Sequence, residues 1–118
     1  MSELVSAELL ASTEPVAFFG YADPQPGRER ELRERMLALG EPSRAEPGIL
    51  AYEAFSDAAR PGSVAFYEFY RDGRAVQHHL EQPYMRQFFE DSASLLAGDL
   101  EIHVLHPHKS QGPETRRG

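Results

Sequence analysis

A chain of 118 residues, 41% hydrophobic and 26% charged, has the composition of one globular domain and not of a disordered chain. A formal net charge of −7 speaks against a nucleic-acid partner, because phosphate contacts need clustered Lys and Arg. Cysteine is absent; this excludes disulfides, thiol catalysis and Cys-ligated metals, and fits a cytoplasmic location.

Residues 1–15 are mixed in character and are expected to form an N-terminal arm, with a short amphipathic turn through Leu4, Val5, Leu9 and Leu10. Met1–Val5 lacks the cationic start and apolar core of a secretory signal. No apolar run approaches the ~20 residues that cross a bilayer, so no membrane partner is expected. Val16–Tyr21 (VAFFGY) reads as a first strand with both faces covered. Asp23–Gly27 (DPQPG) breaks it, and Asp23 or Gly27 is placed to cap the helix that follows. Arg28–Leu39 has helical character, with Leu32, Met36, Leu37 and Leu39 set among alternating Glu and Arg. Those charges offset each other and describe a solvated, salt-bridged face, not a nucleic-acid patch. Pro42 bends or restarts the helix, and Pro47-Gly48 ends it.

Ile49–Ser56 (ILAYEAFS) and Ser63–Tyr70 (SVAFYEFY) flank the turn residues DAARPG and read as an antiparallel hairpin. Asp72 is a good N-cap for a short helix through Ala75, Val76 and His79. Pro83 suits the first turn of another, on which Met85, Phe88, Phe89, Ser92, Leu95 and Leu96 keep helical spacing up to a stop at Gly98. Asp99–His106 alternates and reads as a fourth strand. From Pro107 the tail is polar and is expected to be disordered. The predicted order is β-α-β-β-α-β, an α+β, ferredoxin-like domain over residues 16–106, with a four-stranded antiparallel sheet and helices on one face. Residues 107–118 form the tail. Aromatic residues alternate onto both faces of the strands, so the face without helices is left apolar, and a second copy covering it by two-fold symmetry is expected.

Several segments together resemble the antibiotic biosynthesis monooxygenase family, also described as quinol monooxygenase-like. They are Ser43–Gly48 (SRAEPG) leading into Leu50–Glu53, Phe66–Asp72 (FYEFYRD), Ala75-Val76, His79 and Pro83-Tyr84. The resemblance implies a dimeric α/β barrel with a pocket between sheet and helices in each protomer. It implies oxidation of a small phenolic or quinol-type substrate by O₂ with no cofactor, neither metal nor flavin. The family also contains haem-degrading enzymes and an isomerase of a phosphorylated signalling sugar, so the fold alone does not set the reaction. This chain has no Trp and no Asn, the pocket residues of the haem-degrading and polyketide-type branches, which argues against haem degradation.

His79 matches the family's helical His and is the candidate general base, since imidazole titrates near neutrality. Glu68 lies mid-strand among aromatic residues, where a carboxylate is costly unless paired. It is the second catalytic candidate, orienting His79 by accepting its other ring hydrogen. Tyr52 and Tyr70 are candidates for binding an oxygenated ring, with Phe66, Met85 and Phe88 as apolar walls. His78 is expected to face solvent. His103, His106 and His108 do not share one strand face, so they make a poor metal site, and no dinucleotide or phosphate-loop motif is present. The alternatives are an isomerase using His79 and Glu68 as acid and base, which would want Arg at the pocket if its substrate is phosphorylated, and a non-catalytic dimeric ligand-binding domain.

Overall fold

The aromatic runs pair into one sheet. The computed structural model describes residues 5–108, in the order α1 (Ala7–Leu10), β1 (Val16–Ala22), α2 (Glu29–Ala38), α3 (Gly40–Arg44), β2 (Ile49–Ser56), β3 (Val64–Tyr70), α4 (Gly73–Leu80), α5 (Pro83–Leu95) and β4 (Glu101–Leu105). The strands lie in the order β2-β3-β1-β4, all antiparallel. This is the ferredoxin-like α+β arrangement expected from the sequence.

The register runs from Val16 opposite Tyr70 to Ala22 opposite Val64. Because strand side chains alternate, Val16, Phe18 and Ala22 share a face with Val64, Phe66 and Tyr70, and all six are buried. Leu32 and Met36 of α2, Val76 and His79 of α4, and Met85, Phe88 and Leu95 of α5 are also buried. The opposite face carries Phe19, Tyr21, Tyr67 and Phe69, all partly open, while Phe55 and Leu105 are 51% and 44% exposed.

Two glycines permit close approaches that set up the interior. A Cβ on Gly20 would lie 1.8 Å from the Glu101 carbonyl oxygen and 2.9 Å from the Phe66 ring. Only a bare backbone lets β4 and Phe66 meet β1 there. A Cβ on Gly48 would lie 2.4 Å from the Ala75 Cβ, so the segment entering β2 is pressed onto α4.

Some local expectations are corrected. Neither Asp23 nor Gly27 caps α2: Arg28 holds the cap position without a side-chain bond, and Asp23 instead accepts from Arg60 and Ser63. Leu37 is 58% exposed and leaves the inner stripe. At Pro42 the expectation holds, since the helix restarts there as the separate short α3. Leu96 is extended and bridges Pro24, so α5 ends at Leu95, before Gly98, and β4 starts only at Glu101. As expected, Asp72 caps α4, accepting from the Ala75 amide at 2.9 Å, and Pro83 opens α5. In the arm, the turn α1 lies against the start of α4, where the Gly73 amide donates to the Ser12 carbonyl at 2.9 Å. The tail beyond His108 lies outside the described residues. No described helix is long and apolar enough to cross a membrane.

Candidate active site

Helix α4 is amphipathic, and its inner face brings His79 to the sheet, 1% exposed. Its Nδ1 lies 2.9 Å from Oε2 of Glu46, a residue of the segment between α3 and β2 that Gly48 allows onto α4. The same oxygen accepts the hydroxyl of Tyr84, at the start of α5. A carboxylate oxygen only accepts, so the hydrogen between it and the imidazole sits on Nδ1, and Nε2 carries the lone pair. Nε2 is buried and has no hydrogen-bond partner among the described residues. Burial pulls the His79 pKa below its ordinary value, and the bond to Glu46 only partly offsets this. The ring is therefore neutral at pH 7, the form that can act as a base.

Aromatic rings enclose the imidazole. The Tyr52, Tyr70 and Tyr84 centroids lie 5.3, 5.7 and 6.2 Å from it. Ser43 is fully buried beside the Tyr52 and Tyr84 hydroxyls, though its Oγ forms no well-aligned hydrogen bond among the described residues. Glu68 stands opposite Phe18 and Tyr52 in the sheet register, and its Oε1 accepts the Tyr70 hydroxyl at 2.7 Å. Burial pushes the Glu68 carboxyl up to about 7; the Glu46 charge adds to this, and the Tyr70 hydrogen bond opposes it. Burial, reinforced by these carboxylates, holds the Tyr52 and Tyr70 hydroxyls well above the usual tyrosine range. Burial, with the hydrogen bond to Glu46 and its charge, pushes Tyr84 up to about 12.

All seven residues nominated from the sequence line one cleft between sheet and helices: His79, Glu68, Tyr52, Tyr70, Phe66, Met85 and Phe88. Met36, Leu39, Phe89 and Ile102 are among the residues that complete its apolar wall. The free space inside is small, about 30 Å³. A ring-sized guest therefore requires wall side chains to swing aside. Among the described residues no Arg or Lys lines the cleft. Nearby, Arg44 donates to the Tyr52 carbonyl at 2.7 Å, and Arg35 lies over the Phe88 ring while paired with Asp91 at 3.0 Å. A roomier hollow of about 180 Å³ between α2 and the β2–β3 hairpin has no buried titratable side chain in its walls, so the chemistry points to the tighter cleft.

The expected bond from Glu68 to His79 is corrected: Glu46 takes that place, and Glu68 holds Tyr70. In the sequence Glu46 stands out only as one residue of the SRAEPG segment, beside the Pro47-Gly48 helix stop. Its signal was a lone carboxylate next to a close-approach glycine. Tyr84 was likewise seen only as part of a pattern. His78 is exposed, as expected, and His103 lies away from the cleft, 2.8 Å from Glu101.

Comparison with known proteins gives the family. Residues 15–91 match the family described as antibiotic biosynthesis monooxygenase. A protein of Mycobacterium tuberculosis named "Putative monooxygenase Rv0793" is 30% identical over 95 residues, spanning 80% of this chain and 93% of its own. Its solved structure superposes with a TM-score of 0.77, covering 84% of this chain and all of that one. The protein sll1783 of Synechocystis is 29% identical over 103 residues, which are 87% of this chain and 70% of its own. The structure of PA3566 from Pseudomonas aeruginosa has a TM-score of 0.75 at 26% identity, covering 80% of this chain and 95% of that one. The chain belongs to the antibiotic biosynthesis monooxygenase family.

Proposed function

We propose that this protein is a monooxygenase that oxidises a small phenolic or quinol-type substrate with O₂ in the cleft between sheet and helices. The observation that carries this reading is the state of His79. It is neutral, anchored through Nδ1, and offers a buried, unpartnered Nε2 beside an apolar cleft. In the proposed reaction Nε2 takes the phenolic hydrogen, and the electron-rich phenolate transfers electrons to O₂. Oxygen then bonds to a ring carbon, the O–O bond breaks, and the ring loses its hydrogen. Phenol and O₂ give quinone and water, so the substrate supplies all four electrons and the reaction balances without a cofactor. Glu68, titrating near pH 7, is placed to give or take a proton at the sheet side of the ring.

The same two groups also support a second reading, an isomerase using His79 and Glu68 as base and acid. A phosphorylated substrate fits it poorly, since no cation lines the cleft among the described residues. The cleft's close filling by its own side chains, Phe18, Phe66, Phe88 and Phe89 among them, favours a third reading, a non-catalytic binding domain. Oxygen uptake over a panel of phenols and quinols separates these readings. Substrate-dependent consumption of one O₂ per quinone formed is the expected result; binding without uptake refutes the oxygenase.

A further inference from the structure

The cleft combines three features: an apolar wall, two carboxylates, and no cation among the described residues. Glu68 lines it directly, and Glu46 lies behind His79. Oε1 of Glu68 takes the Tyr70 hydroxyl, while Oε2 has no hydrogen-bond partner among the described residues and remains available to a guest. An isolated charge entering such a site loses its water and meets negative charge instead of a counter-ion. We infer that Glu68 is a specificity-determining residue that restricts this cleft to uncharged aromatic alcohols and rejects those bearing a carboxylate or phosphate. The inference rests on the proposed reading of the cleft as an aryl-alcohol site, but concerns binding and not turnover.

Among the residues that share the cleft wall with Glu68, few are titratable. Tyr70 is on its own strand, Tyr52 on β2, and Phe18 on β1. His79 comes from α4, Met85 and Phe88 from α5, Met36 from α2, and Ile102 from β4. The tyrosine hydroxyls keep their hydrogens at neutral pH, and His79 is uncharged there. Around neutral pH the variable charge of the wall is therefore that of Glu68, for which Glu46 is the negative background. Rejection of anions should strengthen as Glu68 ionises.

The chain holds three methionines, and Met36 and Met85 both line the cleft, so methyl-labelled methionine reports on occupancy by NMR. The probes are 2-naphthol and 6-hydroxy-2-naphthoate, similar rings that differ by one charge, titrated at pH 6 and pH 8 into the intact chain and into Glu68→Gln. We expect 2-naphthol to shift the Met36 and Met85 methyls. The naphthoate should bind more weakly, by a margin that grows from pH 6 to pH 8. In Glu68→Gln, checked for native dispersion in the same spectra, the margin at pH 8 should narrow by about tenfold, as expected for loss of one nearby like charge in a poorly solvated site. Any weakening that persists in the variant measures apolar burial and Glu46. The inference is overturned if the naphthoate binds the intact protein at pH 8 as tightly as the naphthol. It is also overturned if Glu68→Gln leaves the margin unchanged, or if neither probe shifts these methyls. Naphthol binding without oxygen uptake would sink the oxygenase reading and leave the selectivity standing, whereas equal binding of the anion would do the reverse.

Discussion

Glu46 bonds His79 and Glu68 lines the same cleft, yet their environments give them different work. Glu46 receives two hydrogens on one oxygen and fixes the tautomer of the ring. Glu68 receives one, from Tyr70, and burial leaves it half-ionised near neutrality. If His79 is the base, His79→Ala should lower turnover by about 10² to 10⁴ with the fold preserved by circular dichroism. The intact enzyme's rate should rise with pH through the depressed His79 pKa and then level, and that limb should vanish in the variant. Near-normal turnover on a verified substrate would make His79 structural. Glu68 also predicts a stability effect with a definite sign. The unfolded chain releases this proton near 4.5, whereas the folded chain holds it to about 7. Across that window the unfolded state binds fewer protons, so this group's contribution to stability falls as pH rises. Glu68→Gln removes that slope and should stabilise the protein at pH 8 by roughly 2 kcal/mol relative to its effect at pH 4. Denaturant melts at the two pH values check it, and an equal effect at both would refute the burial account. His79 contributes the opposite slope below about 6.5, and it is retained in both proteins.

At the scale of elements, the sequence was most legible where a periodic pattern met clear punctuation. Asp72 and Pro83 mark the starts of α4 and α5, and the DAARPG turn joins β2 to β3. The family resemblance nominated His79, and strand alternation and helical spacing are consistent with all seven nominated residues reaching one layer. The pattern could not show which carboxylate meets His79, because that depends on a contact 33 residues apart in sequence. It also missed the ends of α5 and β4, where Leu96 keeps its amide bond to the Ser92 carbonyl but turns extended and bridges Pro24. The crossing of α4 over the entry to β2 is the contact on which the site depends. Gly48→Ala should force the Ala75 methyl and the Glu46 segment apart, costing about 1–3 kcal/mol and loosening the Glu46–His79 bond. Thermal melts together with the His79 ring-nitrogen shifts test this; an unchanged melting temperature would show that the crossing has slack.

At the scale of the whole molecule, the sheet face that no described helix covers is a large apolar surface. Phe19, Tyr21, Tyr67 and Phe69 lie between the more open Phe55 and Leu105, and such a patch on a soluble domain usually marks an interface. A self-complementary two-fold pairing is the simplest cover, so light scattering should give twice the monomer mass at micromolar concentration. A stable monomer there would refute it, and Tyr67→Glu should shift a dimer toward monomer. The strand order has a further consequence, for synthesis. β1 is the earliest strand to leave the ribosome but lies inside the finished sheet, between β3 and β4. Until residues 101–105 emerge, one side of β1 is a bare row of amides and carbonyls, open to pairing with another nascent chain. The cleft at that stage also lacks Ile102. A chain arrested before Glu101 should therefore be both aggregation-prone and unable to close its site, which makes the last strand the checkpoint for the rest.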